Sequence, residues 1–280
     1  MDSRVELKMF RPIQGSRFTI RDFQAAKERN EKWAMLTAYD AWSTKIFDTA
    51  GIPALLVGDS AAMVMFGHES TIPVDVEDLL PLVKAVVRAS EHAFVIADLP
   101  FGTYQESVEQ AIATSVRFIK EGGAHAVKLE GGEHVLPQIS ALVANGIPVM
   151  GHLGLTPQSV NQFGGYVVQG KGEAGKKLIS DAIALEKAGV FAIVLEVVPT
   201  ELASELTTSV KIPVIGIGAG NQTDAQVLVW QDLVGGLSGH TPKFVQPYAD
   251  IKSVISNAVT RWASDVESGS YPDDSHSYHR

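Results

Sequence analysis

The chain has 280 residues, 45% of them hydrophobic, and a formal net charge of −9. That length and apolar content suffice for a substantial core, and an acidic balance with no basic block excludes the electrostatic footprint of a nucleic-acid binder. Cysteine is absent, which excludes disulfides, thiolate metal sites and cysteine nucleophiles together.

From the N-terminus, MDSRVELKMFRPIQGSRF lacks the apolar core of a signal peptide, and no apolar run along the chain approaches membrane-spanning length. A cytoplasmic protein with no membrane partner is expected. Residues 1–18 form a polar extension leading to Thr19, which is placed to cap a helix TIRDFQAAKERNEK. WAMLTAYD is the first strand, and its terminal Asp40 is expected to cap the next helix or to play an indirect supporting role. ALLVGD is the second, ending on Asp59 and Ser60; His68, in the loop beyond, is expected only to hydrogen-bond. VEDLLPLVKAVVRASE has helical periodicity, and FVIADLP follows as a strand ending on Asp98.

SVEQAIATSVRFIKEGG predicts a helix and AVKLEGGE a strand, in which Lys128 and Glu130 stand two places apart and so point to the same side. They form a buried ion pair or face a ligand. The helix LPQISALVANG precedes VMGHLG, which carries His152. GKGEAGKK, residues 170–177, has the spacing of a phosphate-binding loop up to its lysine. Lys177, however, stands where a serine or threonine would hold magnesium, so a solvated loop opening the helix KLISDAIALEKAG is expected. AIVLEVV ends near Glu196, and PVIGIGAG is a seventh strand whose glycines imply close approach to a ligand or a neighbouring helix. DAQVLVWQDLVG reads as a helix, with a weak eighth strand expected near GGLSGHTPKF. A last helix, DIKSVISNAVTRWASDVES, leads to a polar tail, residues 270–280.

This alternation predicts an α/β protein, a (β/α)8 TIM barrel forming a single domain over residues 19–269. The alternative, a doubly wound open sheet, lacks support because AYDAWS stands where a glycine-rich dinucleotide fingerprint would follow the first strand. In a barrel the reactive groups lie at the C-terminal strand ends, where this chain carries Asp59, Asp98, Lys128, Glu130, His152 and Glu196. Charges converging on one rim need a neutralising partner. Carboxylates without thiolates and with a single histidine suit Mg²⁺ better than zinc or copper, and Lys128 would add positive charge where an anion develops.

Eight separated motifs then fall in order: VGDS (57–60), GHESTIPV (67–74), ADLPFG (97–102), KLEGGE (128–133), GHLGLTPQSVNQFGGYVVQG (151–170), LEVVP (195–199), IPVIGIGAGN (212–221) and HTPKF (240–244). Together they resemble the ketopantoate hydroxymethyltransferase family of pantothenate biosynthesis. The resemblance implies a (β/α)8 barrel that transfers a hydroxymethyl group from 5,10-methylenetetrahydrofolate to 3-methyl-2-oxobutanoate, giving 2-dehydropantoate. It implies Asp59, Asp98 and Glu130 as the Mg²⁺ residues, and Asp59, Ser60, Asp98 and Lys128 as contacts of the oxo acid. It also implies Glu196 as proton acceptor, His152 as a supporting neighbour, and a homodecamer. Two departures stand out: Ala61-Ala62-Met63 where Leu-Gly-Met commonly follows VGDS, and Ser275-His276-Ser277-Tyr278 where Glu-His-Ser-Phe commonly ends the tail. The alternatives are a magnesium-dependent carbon–carbon lyase of the phosphoenolpyruvate mutase and isocitrate lyase type, whose isocitrate lyase branch uses a cysteine this chain lacks, and a non-catalytic anion-binding barrel.

Overall fold

The first seven apolar runs each form a strand: β1 Trp33–Thr37, β2 Ala54–Val57, β3 Phe94–Asp98, β4 Ala126–Lys128, β5 Val149–Gly154, β6 Ala192–Glu196 and β7 Val214–Ile217. In the computed structural model, which describes residues 10–237, 239 and 241–280, they pair in parallel, each with its sequence neighbour, and β8, Ala225–Leu228, closes the barrel. β8 lies against β7 and also against β1, from Trp33↔Ala225 to Leu36↔Leu228. The eighth strand therefore falls within the segment whose spacing predicts a helix, and not near GGLSGHTPKF, of which Ser238 and His240 lie outside the described residues. The reason is tertiary. The run AQVL is followed at once by a short helix, Trp230–Leu233, and the two together imitate helical periodicity. Only pairing on both sides makes the first half a strand.

The chain divides into two compact units, one ending at Val229 and one running from Trp230 to Arg280. The barrel occupies the first. Helices Ala41–Thr49, Val76–Ala89, Val108–Val116, Leu136–Ala144, Glu173–Ala188 and Thr200–Ser209 alternate with its strands. Asp40 caps the first of these, its carboxylate accepting from the Ser43 N–H at 2.8 Å and the Ser43 hydroxyl at 2.6 Å, as AYDAWS predicts.

The N-terminal end of the barrel is plugged. Helix Ile20–Glu28 starts at Thr19, whose N–H and hydroxyl both donate to Asp22, at 2.7 and 2.6 Å. It inserts Phe23 between the first residues of two strands, 4.6 Å from the Trp33 ring centroid and 5.7 Å from that of Phe94. Phe18 is buried and Phe10 partly buried in the same cluster. With that end filled by hydrocarbon, the C-terminal strand ends are left for chemistry.

The second unit contains helix Ile251–Glu267, capped by the Asp250 carboxylate on the Ser253 N–H at 3.1 Å, and a turn at Asp274–His276. That helix has no buried residue, and residues 270–280 are exposed, as a polar tail should be. Among the described residues no helix is long and apolar enough to cross a membrane.

Candidate active site

Asp98 and Lys128 are the last residues of β3 and β4 and lie side by side in register. Asp59 and Glu130 each stand two residues beyond the end of their strand, His152 sits within β5, and Glu196 ends β6. The barrel brings them together. Lys128 Nζ is 2.9 Å from Asp98 Oδ1 but 3.8 Å from Glu130 Oε1, so its close partner is on the neighbouring strand and not two places along its own. The Asp59 N–H donates to Asp98 Oδ2 at 3.2 Å. His152 Nδ1 lies 3.3 Å from Lys128 Nζ and 3.2 Å from Glu130 Oε1, while Nε2 faces Glu196 Oε2 at 3.3 Å. Ser60 meets the buried Tyr39, hydroxyl to hydroxyl, at 2.8 Å.

Asp59, Asp98, Lys128, Glu130 and His152 are all buried, none more than 4% exposed. Burial first, then mutual repulsion, raises the pKa of Asp59; burial raises that of Glu130; and burial with the charges of Asp59 and Glu130 raises that of Asp98 well above the carboxylate range. Burial pulls the Lys128 ammonium down, but Asp98, Glu130 and Asp59 outweigh it and hold its pKa above its ordinary value. Burial, reinforced by Lys128, lowers the His152 pKa. A neutral His152 accepting at Nδ1 from Lys128 carries its proton at Nε2, toward Glu196.

Glu196 differs from the others. Its side chain is 16% exposed, and the next residue, Val197, has a φ of 48°, a left-handed conformation that a β-branched side chain strongly disfavours. Two backbone hydrogen bonds hold the strained residue: its N–H donates to Ile217 O at 2.8 Å and its carbonyl accepts from Gln169 N at 3.0 Å. On the other side Gly154, at φ 90°, lets the β5 backbone approach so closely that a Cβ there would run into the Glu196 carbonyl. The chain thus turns sharply as it leaves β6, directly after Glu196.

Two residues that sequence reasoning missed organise the floor. Gln158, buried in the turn Pro157–Ser159, donates its backbone N–H to Glu130 Oε2 at 3.0 Å. Its side-chain amide donates to Asp59 Oδ2 at 3.0 Å and to the Leu99 carbonyl at 2.9 Å. Its Oε1 accepts from the Tyr104 hydroxyl at 2.8 Å, and that hydroxyl in turn accepts from the Glu130 N–H at 3.1 Å. An uncharged loop glutamine leaves no mark in a charge pattern; its place within GHLGLTPQS was the one available signal.

The other motifs take structural places. Lys177 pairs with Asp181 at 2.6 Å and Glu133 at 2.8 Å, pinning the start of helix Glu173–Ala188 to the loop after β4. Gly220 packs so closely that a Cβ would meet the Thr200 side chain at 2.5 Å, so this glycine serves approach to helix Thr200–Ser209. His68 is exposed, and its backbone N–H donates to Ala62 O at 2.9 Å.

The residues fit a hard divalent cation by charge and chemistry. Asp59, Asp98 and Glu130 are buried against one ammonium, that of Lys128, leaving two negative charges unbalanced when all are ionised. Asp98 Oδ1 and Glu130 Oε1 are buried and accept no hydrogen bond of good geometry, although both lie near Lys128. Among the described residues no three of His, Asp and Glu stand in ready ligand geometry, because the carboxylates turn toward Lys128 and Gln158.

A profile of the family described as ketopantoate hydroxymethyltransferase matches residues 17–274. The chain is 58% identical over 268 residues to the 3-methyl-2-oxobutanoate hydroxymethyltransferase of Frankia casuarinae, covering 96% of this chain and 90% of that one. To the protein of the same name from Thermobifida fusca it is 59% identical over 263 residues, covering 94% of each. Among solved structures, phosphonopyruvate hydrolase in complex with oxalate and Mg²⁺ superposes with a TM-score of 0.60 at 13% identity, covering 92% of each chain. The 2,3-dimethylmalate lyase, a phosphoenolpyruvate mutase/isocitrate lyase superfamily member, gives 0.58 at 16%, covering 92% of this chain and 90% of that one. These two likenesses concern the barrel fold, whereas identity over nearly the whole length concerns the family, and by it the chain belongs to the ketopantoate hydroxymethyltransferases.

Proposed function

We infer that the protein transfers a hydroxymethyl group from 5,10-methylenetetrahydrofolate to 3-methyl-2-oxobutanoate, giving 2-dehydropantoate. The observation that carries the reading is the pairing of a buried, overly negative carboxylate cluster with a separate, more accessible Glu196 across His152. Asp59, Asp98 and Glu130 would hold Mg²⁺, and the phosphonopyruvate hydrolase of like fold, in complex with oxalate and Mg²⁺, supports the choice of ion. The ion, when bound, supplies Lewis-acid polarisation of the carboxylate and keto oxygens of the oxo acid.

The chain's own residues supply the rest. Lys128, held charged by its carboxylate neighbours, offsets negative charge growing on the keto oxygen. Ser60 and the two aspartates orient the oxo acid. Glu196 takes the proton from C3, with the His152 imidazole beside it at 3.3 Å. The carbon left electron-rich then forms the new carbon–carbon bond to the donor's one-carbon unit, whose two bonds to folate nitrogen break; one water supplies the hydroxyl oxygen, and tetrahydrofolate leaves with the protons that restore its two N–H groups. The reading includes a homodecamer. The stripe Ile255, Val259, Trp262 and Val266, exposed at helical spacing on Ile251–Glu267, supports assembly, and light scattering checks the copy number.

The test is hydrogen exchange at C3 of 3-methyl-2-oxobutanoate in D₂O without folate. The wild-type protein with Mg²⁺ exchanges, and chelation stops it. Glu196→Gln lowers exchange and overall transfer together by roughly 10²–10⁴-fold, the usual worth of a positioned general base. Exchange at the wild-type rate in Glu196→Gln would place the base elsewhere, and full turnover in metal-stripped protein would remove the metal from the reading.

A further inference from the structure

Two side chains from different loops meet beside the charged site. Met63 belongs to the short helix Ala61–Val64, which begins immediately after Asp59 and Ser60, and its N–H donates to the Ser60 carbonyl at 3.0 Å. Tyr166 belongs to the loop after β5, and its hydroxyl reaches the Met63 sulfur at 3.7 Å. Three residues beyond the ring that loop is tied down, because the Gln169 N–H donates at 3.0 Å to the carbonyl of Val197, the strained residue following Glu196. The loop carrying Tyr166 and Gln169 therefore runs from the Asp59 side of the rim to the Glu196 side. Its phenol feels the site: burial first, then the charges of Glu196, Asp59 and Glu130, raises its pKa.

This pair is chemically unlike the floor below it. The floor consists of carboxylates, an ammonium and an amide, which suit a small anionic oxo acid. The pair presents an aromatic face and a thioether, and both stay open to solvent, Tyr166 at 52% and Met63 at 39%. Beside the ring, Gly164 and Gly165 face open space, with no heavy atom within 4 Å of where a Cβ would stand. The second substrate has the complementary chemistry. Its one-carbon unit rides on a reduced pterin whose pyrimidine half is flat, and the methylene carbon must come within bonding reach of the carbon that Glu196 deprotonates. The pterin must therefore lie over the segment between Asp59 and Glu196, against an apolar, polarisable surface. Aromatic rings favour offset stacking, and sulfur makes favourable contacts with ring edges.

We propose that Tyr166 and Met63 form the seat for the pterin ring of the one-carbon donor, placing its methylene above Glu196. The assignment rests on the hydroxymethyl-transfer reading and adds to it the location of the second substrate. The rim loops after β2 and β5 thus bind the donor, while the buried floor binds the oxo acid.

The experiment is steady-state kinetics with both substrates varied, alongside calorimetric titration of tetrahydrofolate into the Mg²⁺-loaded protein. Tyr166→Ala and Met63→Ala each raise KM for methylenetetrahydrofolate by about 10-fold, the equivalent of one ring contact with its buried area, and weaken tetrahydrofolate binding in parallel. KM for 3-methyl-2-oxobutanoate stays within about twofold of wild type. Tyr166→Phe keeps the ring and stays within about threefold in donor KM, which separates stacking from a role of the hydroxyl. Unchanged tetrahydrofolate affinity in Tyr166→Ala would overturn the proposal. So would a rise in oxo-acid KM equal to or larger than that for the donor, which would make the pair a cover for the oxo acid. If the wild-type protein exchanges the C3 hydrogen yet binds no tetrahydrofolate, the donor reading itself falls, and the seat with it.

Discussion

Gln158 ties three strand ends together through one residue. Its amide holds Asp59 and the Leu99 carbonyl, its backbone N–H holds Glu130, and its Oε1 receives the Tyr104 hydroxyl. Buried carboxylates that repel one another turn away unless something fixes each oxygen, and Gln158 fixes one oxygen on each of two, Asp59 Oδ2 and Glu130 Oε2. Gln158→Leu keeps the bulk and removes the side-chain hydrogen bonds. It should lower turnover and Mn²⁺ affinity, read by electron paramagnetic resonance, by about 10–100-fold, as loss of a partner that orients a metal-binding group does. Wild-type affinity and turnover in that variant would reduce Gln158 to packing. At this scale the choice between an ion pair of Lys128 with Glu130 and a ligand-facing pair also becomes concrete. Lys128 and Glu130 do point the same way, as alternation requires, but the lysine's near partner is Asp98, which no spacing along one strand could reveal.

Between elements, one side chain that gathers several donors is Asp48, in the last turn of helix Ala41–Thr49. Its carboxylate accepts from the backbone N–H groups of Glu91, His92 and Ala93 at 3.0, 3.0 and 2.7 Å and from the Ser90 hydroxyl at 3.2 Å. It thereby fixes the loop that feeds β3 and, through β3, the position of Asp98. Burial works against the charged form, yet these donors outweigh it and hold the Asp48 pKa below the usual carboxylate range. A depressed folded-state pKa gives stability that is full above the ordinary aspartate value of about 4 and is lost as pH falls through the lower folded value. Asp48→Ala strands several backbone donors and should cost about 2–4 kcal/mol near neutral pH. Thermal unfolding from pH 3 to pH 7 checks both points, since the difference between variant and wild type must shrink on the acid side. A constant difference across that range would assign the effect to packing alone.

The whole barrel separates stability from chemistry by end. Phe23, with Phe10, Phe18, Trp33 and Phe94, closes the N-terminal mouth, and the charged groups occupy the other. Phe23→Ala should therefore destabilise by about 3–5 kcal/mol, measured by denaturant unfolding, while turnover per folded molecule stays near wild type; a matching collapse of turnover would show that the two ends are coupled. The division also marks what could be read in advance. Strand alternation, helix periodicity, the cap at Asp40 and the charged strand ends depend on residues a few places apart, so the sequence by itself determined seven strands, the barrel and the composition of the rim. The motifs added the family. Only the tertiary structure decided that Ala225–Leu228 is a strand, because its partners in β1 lie at the far end of the barrel segment. Likewise only the fold decided that Gln158 meets Asp59, 99 residues away, that Lys128 turns to Asp98, and that Phe18 belongs to the core with Phe10 packed against it. In each case closing the barrel creates the contact, and local chain preferences contain no information about which distant groups closure will bring together.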